Sequence, residues 1–123
     1  MERTTLQRKQ ILDVLINCYT HPTIKELYNL VKEKYPNIGQ ATVYRTVNKL
    51  VLEYIVVKIE CSDGIHYDYN RNHHHFYCKS CHNIIDVFLK SNDIDNLLSY
   101  SNLSNYQVNS LVFEGICSNC KGK

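Results

Sequence analysis

Four of the six cysteines lie in two pairs of one spacing, Cys78-Lys79-Ser80-Cys81 and Cys117-Ser118-Asn119-Cys120. Two C-x-x-C pairs supply four soft thiolates, the donor set of a closed tetrahedral structural zinc site. One ion held this way ties together segments far apart in the chain. The competing reading is a redox dithiol, but no thioredoxin-like βαβ pattern surrounds either pair. Cys78-Lys79-Ser80-Cys81-His82 also matches the C-x-x-C-H pattern of haem attachment. That chemistry goes with export, and the start, Met1 to Lys9, has no apolar core of a signal peptide. A cytoplasmic protein with reduced thiols is therefore expected. His82 reads as incidental, and Cys18 and Cys61, in apolar or strand-like surroundings, read as buried inert thiols.

A chain of 123 residues makes one ordinary domain or two very small ones. No apolar run approaches the roughly 20 residues of a membrane span, so no membrane partner is expected. Residues 6–18 place Leu6, Ile11, Leu12, Val14, Leu15 and Cys18 on a helical stripe. His21-Pro22 breaks it, and Thr23-Ile24-Lys25-Glu26 reads as a capping box opening a second helix with Leu27, Leu30 and Val31 inward. After a turn at residues 35–39, a third helix is expected from Gln40 to Leu52, with Val43, Val47, Leu50 and Val51 apolar.

The period then becomes strand-like. Residues 54–60 and 65–69 read as the two strands of a hairpin around Ser62-Asp63-Gly64. Three helices and a hairpin are the order of a winged helix-turn-helix, whose third helix enters the DNA major groove. That helix offers Gln40, Thr42, Tyr44, Arg45, Asn48 and Lys49, residue types that contact base edges and phosphates. Alone, such a face would be read as solvated surface; the winged order favours double-stranded DNA. The charge agrees weakly: residues 1–60 carry 9 Lys+Arg against 6 Asp+Glu, residues 61–123 carry 5 against 6, and five of the six histidines fall in the second part.

The expected organisation is α+β: a winged helix-turn-helix over 1–69, a hinge over 70–72, and a small α/β dimerisation domain with the four-cysteine zinc site over 73–123. In that second part Phe76-Tyr77 and residues 84–88 read as strands, Asp93 to Leu103 as a helix, and Tyr106 to Phe113 as a strand. A domain this small has little interior, which a zinc ion and homodimerisation would supplement.

His73-His74-His75 alternates on a strand, with His73 and His75 on one face. With Asp68 and Asp86 nearby they form a mixed nitrogen and oxygen set suited to Fe2+, Mn2+ or Zn2+. A polar histidine cluster on a surface strand is the plain alternative. Gly39-Gln40-Ala41-Thr42-Val43-Tyr44-Arg45, then His73-x-His75-x-x-Cys78-x-x-Cys81, then Cys117-x-x-Cys120, resemble in order and spacing the ferric uptake regulator family of bacterial metal-dependent repressors.

The resemblance implies a structural Zn2+ on Cys78, Cys81, Cys117 and Cys120, and a regulatory Fe2+ or Mn2+ on His21, Asp68, His73, His75 and Asp86. It implies a homodimer binding an AT-rich palindromic operator, with Tyr44 and Arg45 at base-contacting positions. Asp68 and Asp86, where iron-sensing members usually carry Glu, resemble the peroxide-sensing branch. There, Fe2+ and hydrogen peroxide oxidise a ligand histidine, here His21 or His73. Arg45 after Tyr44 is closer to the iron-uptake branch, so iron-responsive repression of metal uptake genes is the alternative.

The family's additional N-terminal helix has no counterpart in this sequence. Asn72 and Asn109 replace frequent histidine ligands of a further site, leaving His74 and Asp93, so no strong third metal is expected. His82 replaces a usual glycine. An enzyme activating water at the histidine cluster and a zinc-ribbon adaptor binding only proteins are competing classes. With no separate nucleophile or base evident, no enzyme and no small organic substrate are expected.

Overall fold

The computed structural model describes residues 3–121, with side chains from residue 5 onward; residues 1–2 and 122–123, at the outer ends of the two expected domains, lie outside the described residues. The chain forms two compact units, Met1–Arg71 and Asn72–Lys123.

In the first unit helices α1 (Arg3–Ile16), α2 (Ile24–Lys34) and α3 (Gln40–Leu52) precede an antiparallel hairpin of β1 (Val56–Cys61) and β2 (Gly64–Tyr69). This is the winged helix-turn-helix order. Thr23 caps α2 as the sequence indicates. Its hydroxyl accepts the Glu26 amide at 3.2 Å, and the Glu26 carboxylate accepts the Thr23 amide at 2.9 Å. The core gathers Ile11 and Leu15 from α1, Leu27 and Val31 from α2, and Val43, Val47 and Leu50 from α3. Two residues expected inward are exposed, Leu6 at 46% and Leu30 at 36%, while Leu12, Val14 and Val51 are half-buried against the core. Leu6 lies in the first turns of α1, ahead of the buried stripe that begins at Ile11.

The hairpin turn is Ser62-Asp63, closed by the pair Cys61 and Gly64. Gly64 has φ +140°, a conformation side chains disfavour, so glycine is required there although a Cβ would meet open space. Arg8 of α1 clamps the residue after α3, donating to both Glu53 carboxylate oxygens at 2.7 and 3.2 Å.

The second unit is a three-stranded sheet of order β4-β3-β5 with one short helix, α4. Strand β3 (His74–Cys78) runs antiparallel to β4 (Ile84–Val87) and parallel to β5 (Val112–Gly115). Helix α4 spans Ser91–Leu98 and not 93–103. Serine hydroxyls end it early: Ser99 Oγ donates to the Asn96 carbonyl at 2.8 Å and Ser101 Oγ to that of Leu98 at 2.6 Å, competing for the acceptors a longer helix would use. The strand expected over 106–113 is confined to Val112–Gly115, where it meets β3. Gly115 permits that approach, because a Cβ there would lie 3.3 Å from the Phe76 ring. Among the described residues no helix is long and apolar enough to cross a membrane.

Candidate metal centres and nucleic-acid interface

The four paired cysteines converge in the second unit, their sulfurs all within 4.8 Å of one another. Each C-x-x-C pair closes a tight turn: the His82 amide donates to the Cys78 carbonyl at 2.9 Å and the Cys120 amide to that of Cys117 at 3.1 Å. Strands β3 and β5 bring the pairs together, since Cys78 is the register partner of Gly115 and Cys117 follows two residues later. The amides of Cys81 and Cys117 donate to Cys78 Sγ at 3.5 and 3.4 Å. These bonds, the first above all, bring the Cys78 thiol down to about 6. Cys120 goes the other way, to about 12: a hydrogen bond with Ser80 lowers it, but thiol contacts with Cys117, Cys81 and Cys78, together with burial, outweigh that. Without a cation the cluster therefore favours the Cys78 thiolate at the expense of Cys120. A divalent ion lets all four ionise together, which is the chemistry of a tetrathiolate zinc site.

A second donor group of this unit comes from the segment entering β3 and from β4. His73 Nε2 lies 3.0 Å from Asp86 Oδ1, and His75 Nε2 3.7 Å from the same oxygen. The two rings meet edge to face at 4.6 Å. Both histidines are buried, while Asp86 keeps 34% of its side chain in solvent. Pairing of His75 with Asp86 across β3 and β4 fixes this arrangement. His74 points elsewhere, its Nδ1 accepting the Leu111 amide at 3.1 Å. Burial, then the neighbouring His75 and His73, push its imidazole below the ordinary histidine range, so it sits neutral as an acceptor.

The remaining ligand candidates lie in the first unit. His21 Nε2 is 3.5 Å from Asp68 Oδ2, and both side chains are buried. His21 has φ +54°, the left-handed region that non-glycine residues adopt at a cost. Two neighbours hold it there: the Tyr67 amide donates to the Pro22 carbonyl at 2.8 Å, and His66 Nδ1–H donates to the His21 carbonyl at 2.8 Å. The other Asp68 oxygen accepts from Arg71 at 2.6 Å. The Arg71 guanidinium also donates to the Ile16 carbonyl and lies 4.2 Å from the centre of the Tyr19 ring.

Reading the sequence missed His66 and Arg71 as supports of His21 and Asp68. The signal for His66 was available, since positions 66 and 68 share one face of β2. The expectation for Cys61 is corrected: it is half-buried and groups with Asp63 and His66, because it ends β1 at the turn and not in the core. Cys18 is buried as expected. His82 gains an account. It has φ +65°, which explains a glycine preference at this position, and its Nδ1 lies 2.6 Å from the buried Tyr77 hydroxyl.

On α3, Val43, Val47 and Leu50 are buried, which turns Gln40, Tyr44, Arg45, Asn48 and Lys49 to solvent and leaves Thr42 half-buried. Gln40 donates to the Tyr44 hydroxyl at 3.3 Å and Arg45 touches the Thr42 hydroxyl at 3.5 Å, so the row is ordered along the helix. An exposed guanidinium, amides and an ammonium on a helix standing after a helix-turn element suit base edges and phosphates.

A model of the ferric uptake regulator family matches residues 2–113. The peroxide-responsive repressor PerR of Staphylococcus aureus is 32% identical over 124 residues, covering 98% of this chain and 84% of that protein. Among solved structures, the Campylobacter jejuni peroxide stress regulator superposes with a TM-score of 0.76 at 32% identity, covering 96% of this chain and 91% of that one. The Helicobacter pylori ferric uptake regulator Fur shares the fold, with a TM-score of 0.77 at 23% identity over 98% of this chain and 86% of that one.

Proposed function

The chain belongs to the ferric uptake regulator family, and on that premise we propose that it is a metal-dependent, DNA-binding transcriptional repressor that senses peroxide through oxidation of a ligand histidine. The observation that carries this reading is the pairing of imidazole with aspartate in each unit: His21 with Asp68, and His73 and His75 with Asp86. Identity to peroxide-responsive relatives over nearly the whole chain supports the branch.

Cys78, Cys81, Cys117 and Cys120 would hold the structural Zn2+. His21, Asp68, His73, His75 and Asp86 would hold Fe2+ or Mn2+, three imidazoles and two carboxylates that suit ions of this hardness. Metal occupancy would bias a two-state element between DNA-competent and DNA-incompetent dimers. Fe2+, when bound, supplies the redox chemistry toward hydrogen peroxide. His21 or His73 takes up one oxygen at a ring C–H, and the peroxide's second oxygen leaves as water. The modified ring would be a poorer donor, which would weaken metal holding at His21, Asp68, His73, His75 and Asp86 and with it DNA binding. One histidine is consumed per event, which is sensing and not turnover. The DNA partner would be an AT-rich palindrome met by a homodimer in the cytoplasm.

Peptide mass spectrometry tests the sensing step. Protein loaded anaerobically with Fe2+ and given one equivalent of peroxide is expected to gain one oxygen on peptides containing His21 or His73, and a Mn2+ control to gain none. Unmodified histidines in protein shown to retain its Fe2+ would move the reading to an iron-responsive repressor of metal uptake genes. For the DNA interface, Arg45→Ala is expected to cost about 1–3 kcal/mol of discrimination between operator and mismatched DNA. Fluorescence anisotropy at fixed salt measures it, and unchanged discrimination would remove Arg45 from base contact.

A further inference from the structure

The hairpin of the first unit carries a donor cluster separate from the two ligand sets above. Cys61 ends β1, Asp63 lies in the turn, and His66 is the third residue of β2. Cys61 faces Gly64 and Ile59 faces His66 in the register, so Cys61 and His66 are diagonal neighbours on one face of the hairpin. One donor atom from each of Cys61, Asp63 and His66 lies within 4.8 Å of the others. Two metal–ligand bonds of about 2.0–2.3 Å nearly span that distance.

His66 is oriented as ligand histidines are. Its Nδ1–H donates to the His21 carbonyl at 2.8 Å, which turns Nε2 toward Asp63, 3.2 and 3.3 Å from the two carboxylate oxygens. A backbone carbonyl on one ring nitrogen, with the other directed at a second candidate donor, is the outer-shell arrangement that fixes a metal-binding imidazole. The ring is mostly shielded, with 12% of its side chain exposed, whereas Asp63 keeps 32% in solvent and gives an ion a way in.

We propose that Cys61, Asp63 and His66 form a further divalent-cation site, selective for Zn2+, at the turn end of the hairpin. One thiolate, one imidazole and one carboxylate make a borderline-soft set that suits Zn2+ better than Mg2+ or Ca2+. Three protein donors leave the fourth tetrahedral position to water, which makes the site exchangeable and distinguishes it from the closed tetrathiolate cluster. The inference uses residues of the first unit alone and does not rest on the assignments of the preceding subsection.

Cobalt(II) is the probe, because a bound thiolate gives a sulfur-to-cobalt charge-transfer band in the near ultraviolet. The full-length protein and its Cys61→Ser variant are titrated side by side. Bands from the tetrathiolate cluster occur in both and cancel in the difference. Wild type is expected to show an additional band saturating at about one cobalt per chain and bleached by added Zn2+. Asp63→Asn, at an exposed turn position, is expected to weaken that cobalt site by about 10-fold or more, at least the loss that follows removal of an outer-shell partner. Superimposable titrations of wild type and Cys61→Ser would overturn the proposal. If Cys61→Ser does not fold, an unchanged cobalt midpoint in Asp63→Asn overturns it equally.

Discussion

Cys78→Ser is expected to strip the chain of its tightly held zinc and to unfold residues 72–123, while the helices of the first unit persist. The reason lies in what the second unit has for an interior. Its buried hydrophobic residues among those described are Tyr77, Cys78 and Cys117, and α4 buries none. The sheet is therefore gathered around sulfur. Cys78 is the most deeply placed of the four, fully buried in the central strand, with two amides aimed at its sulfur. A serine oxygen there is a poor zinc donor. Structural zinc contributes about 10–16 kcal/mol of apparent binding energy in small zinc-dependent folds, as much as the whole stability of a typical domain, about 5–15 kcal/mol. The first unit has its own core on Ile11, Leu15, Leu27, Val31, Val43, Val47 and Leu50 and needs no ion to bury it. Zinc content per chain and residue-resolved hydrogen exchange measure the outcome. Retained zinc together with native protection in β3 and β5 would show that the cysteines do not carry the fold.

His75→Ala is expected to leave that architecture standing and to abolish the response of DNA binding to metal. His75 is fully buried, but its backbone bond, its amide donating to the Leu111 carbonyl at 3.1 Å, is untouched by the change. What disappears is the imidazole beside His73 and Asp86. Loss of a donor lowers metal affinity by at least the roughly 10–100-fold that follows loss of an outer-shell partner. A ligand shifts a conformational equilibrium only as far as its differential affinity allows, so operator affinity in Mn2+ should fall to the metal-free value at concentrations that saturate the wild type. Anisotropy titrations with and without Mn2+, run on protein with the full zinc content and a native circular dichroism spectrum, read this directly. A wild-type Mn2+ midpoint would exclude His75 as a ligand.

Much of this was legible in the residues because it is local. The capping box of α2 is written in four consecutive positions. The bounds of α3 follow from Gly39 before it and the change of period after Leu52. The C-x-x-C turns need only their own spacing. Where reading the sequence went astray, the deciding interaction was distant or competitive. Residues 106–113 alternate well enough for a strand, yet parallel pairing to β3 is available only from Val112 onward. Helix α4 is cut short by hydroxyls that compete for its carbonyls, an effect a hydrophobic stripe does not register. The Cys61, Asp63 and His66 grouping depends on a diagonal across the hairpin, and the support given by His66 to His21 spans 45 residues. Such pairings become visible only when the register is known.

Arg71 has a consequence for which ions the proposed regulatory site would favour. Its guanidinium, steadied on Tyr19 and on the Ile16 carbonyl, occupies Asp68 Oδ1 and leaves only Oδ2 turned to His21. A carboxylate held in this way would offer an incoming cation chiefly its one remaining oxygen, Oδ2. Calcium, which collects about six to eight oxygens and relies on bidentate carboxylates to reach that number, is poorly served by such a host. Transition ions content with fewer donors and fond of imidazole lose nothing. In the proposed regulatory site, a single arginine holding one of this acid's oxygens would disfavour an abundant competitor through denticity, with no need for tighter binding of the protein's own metal.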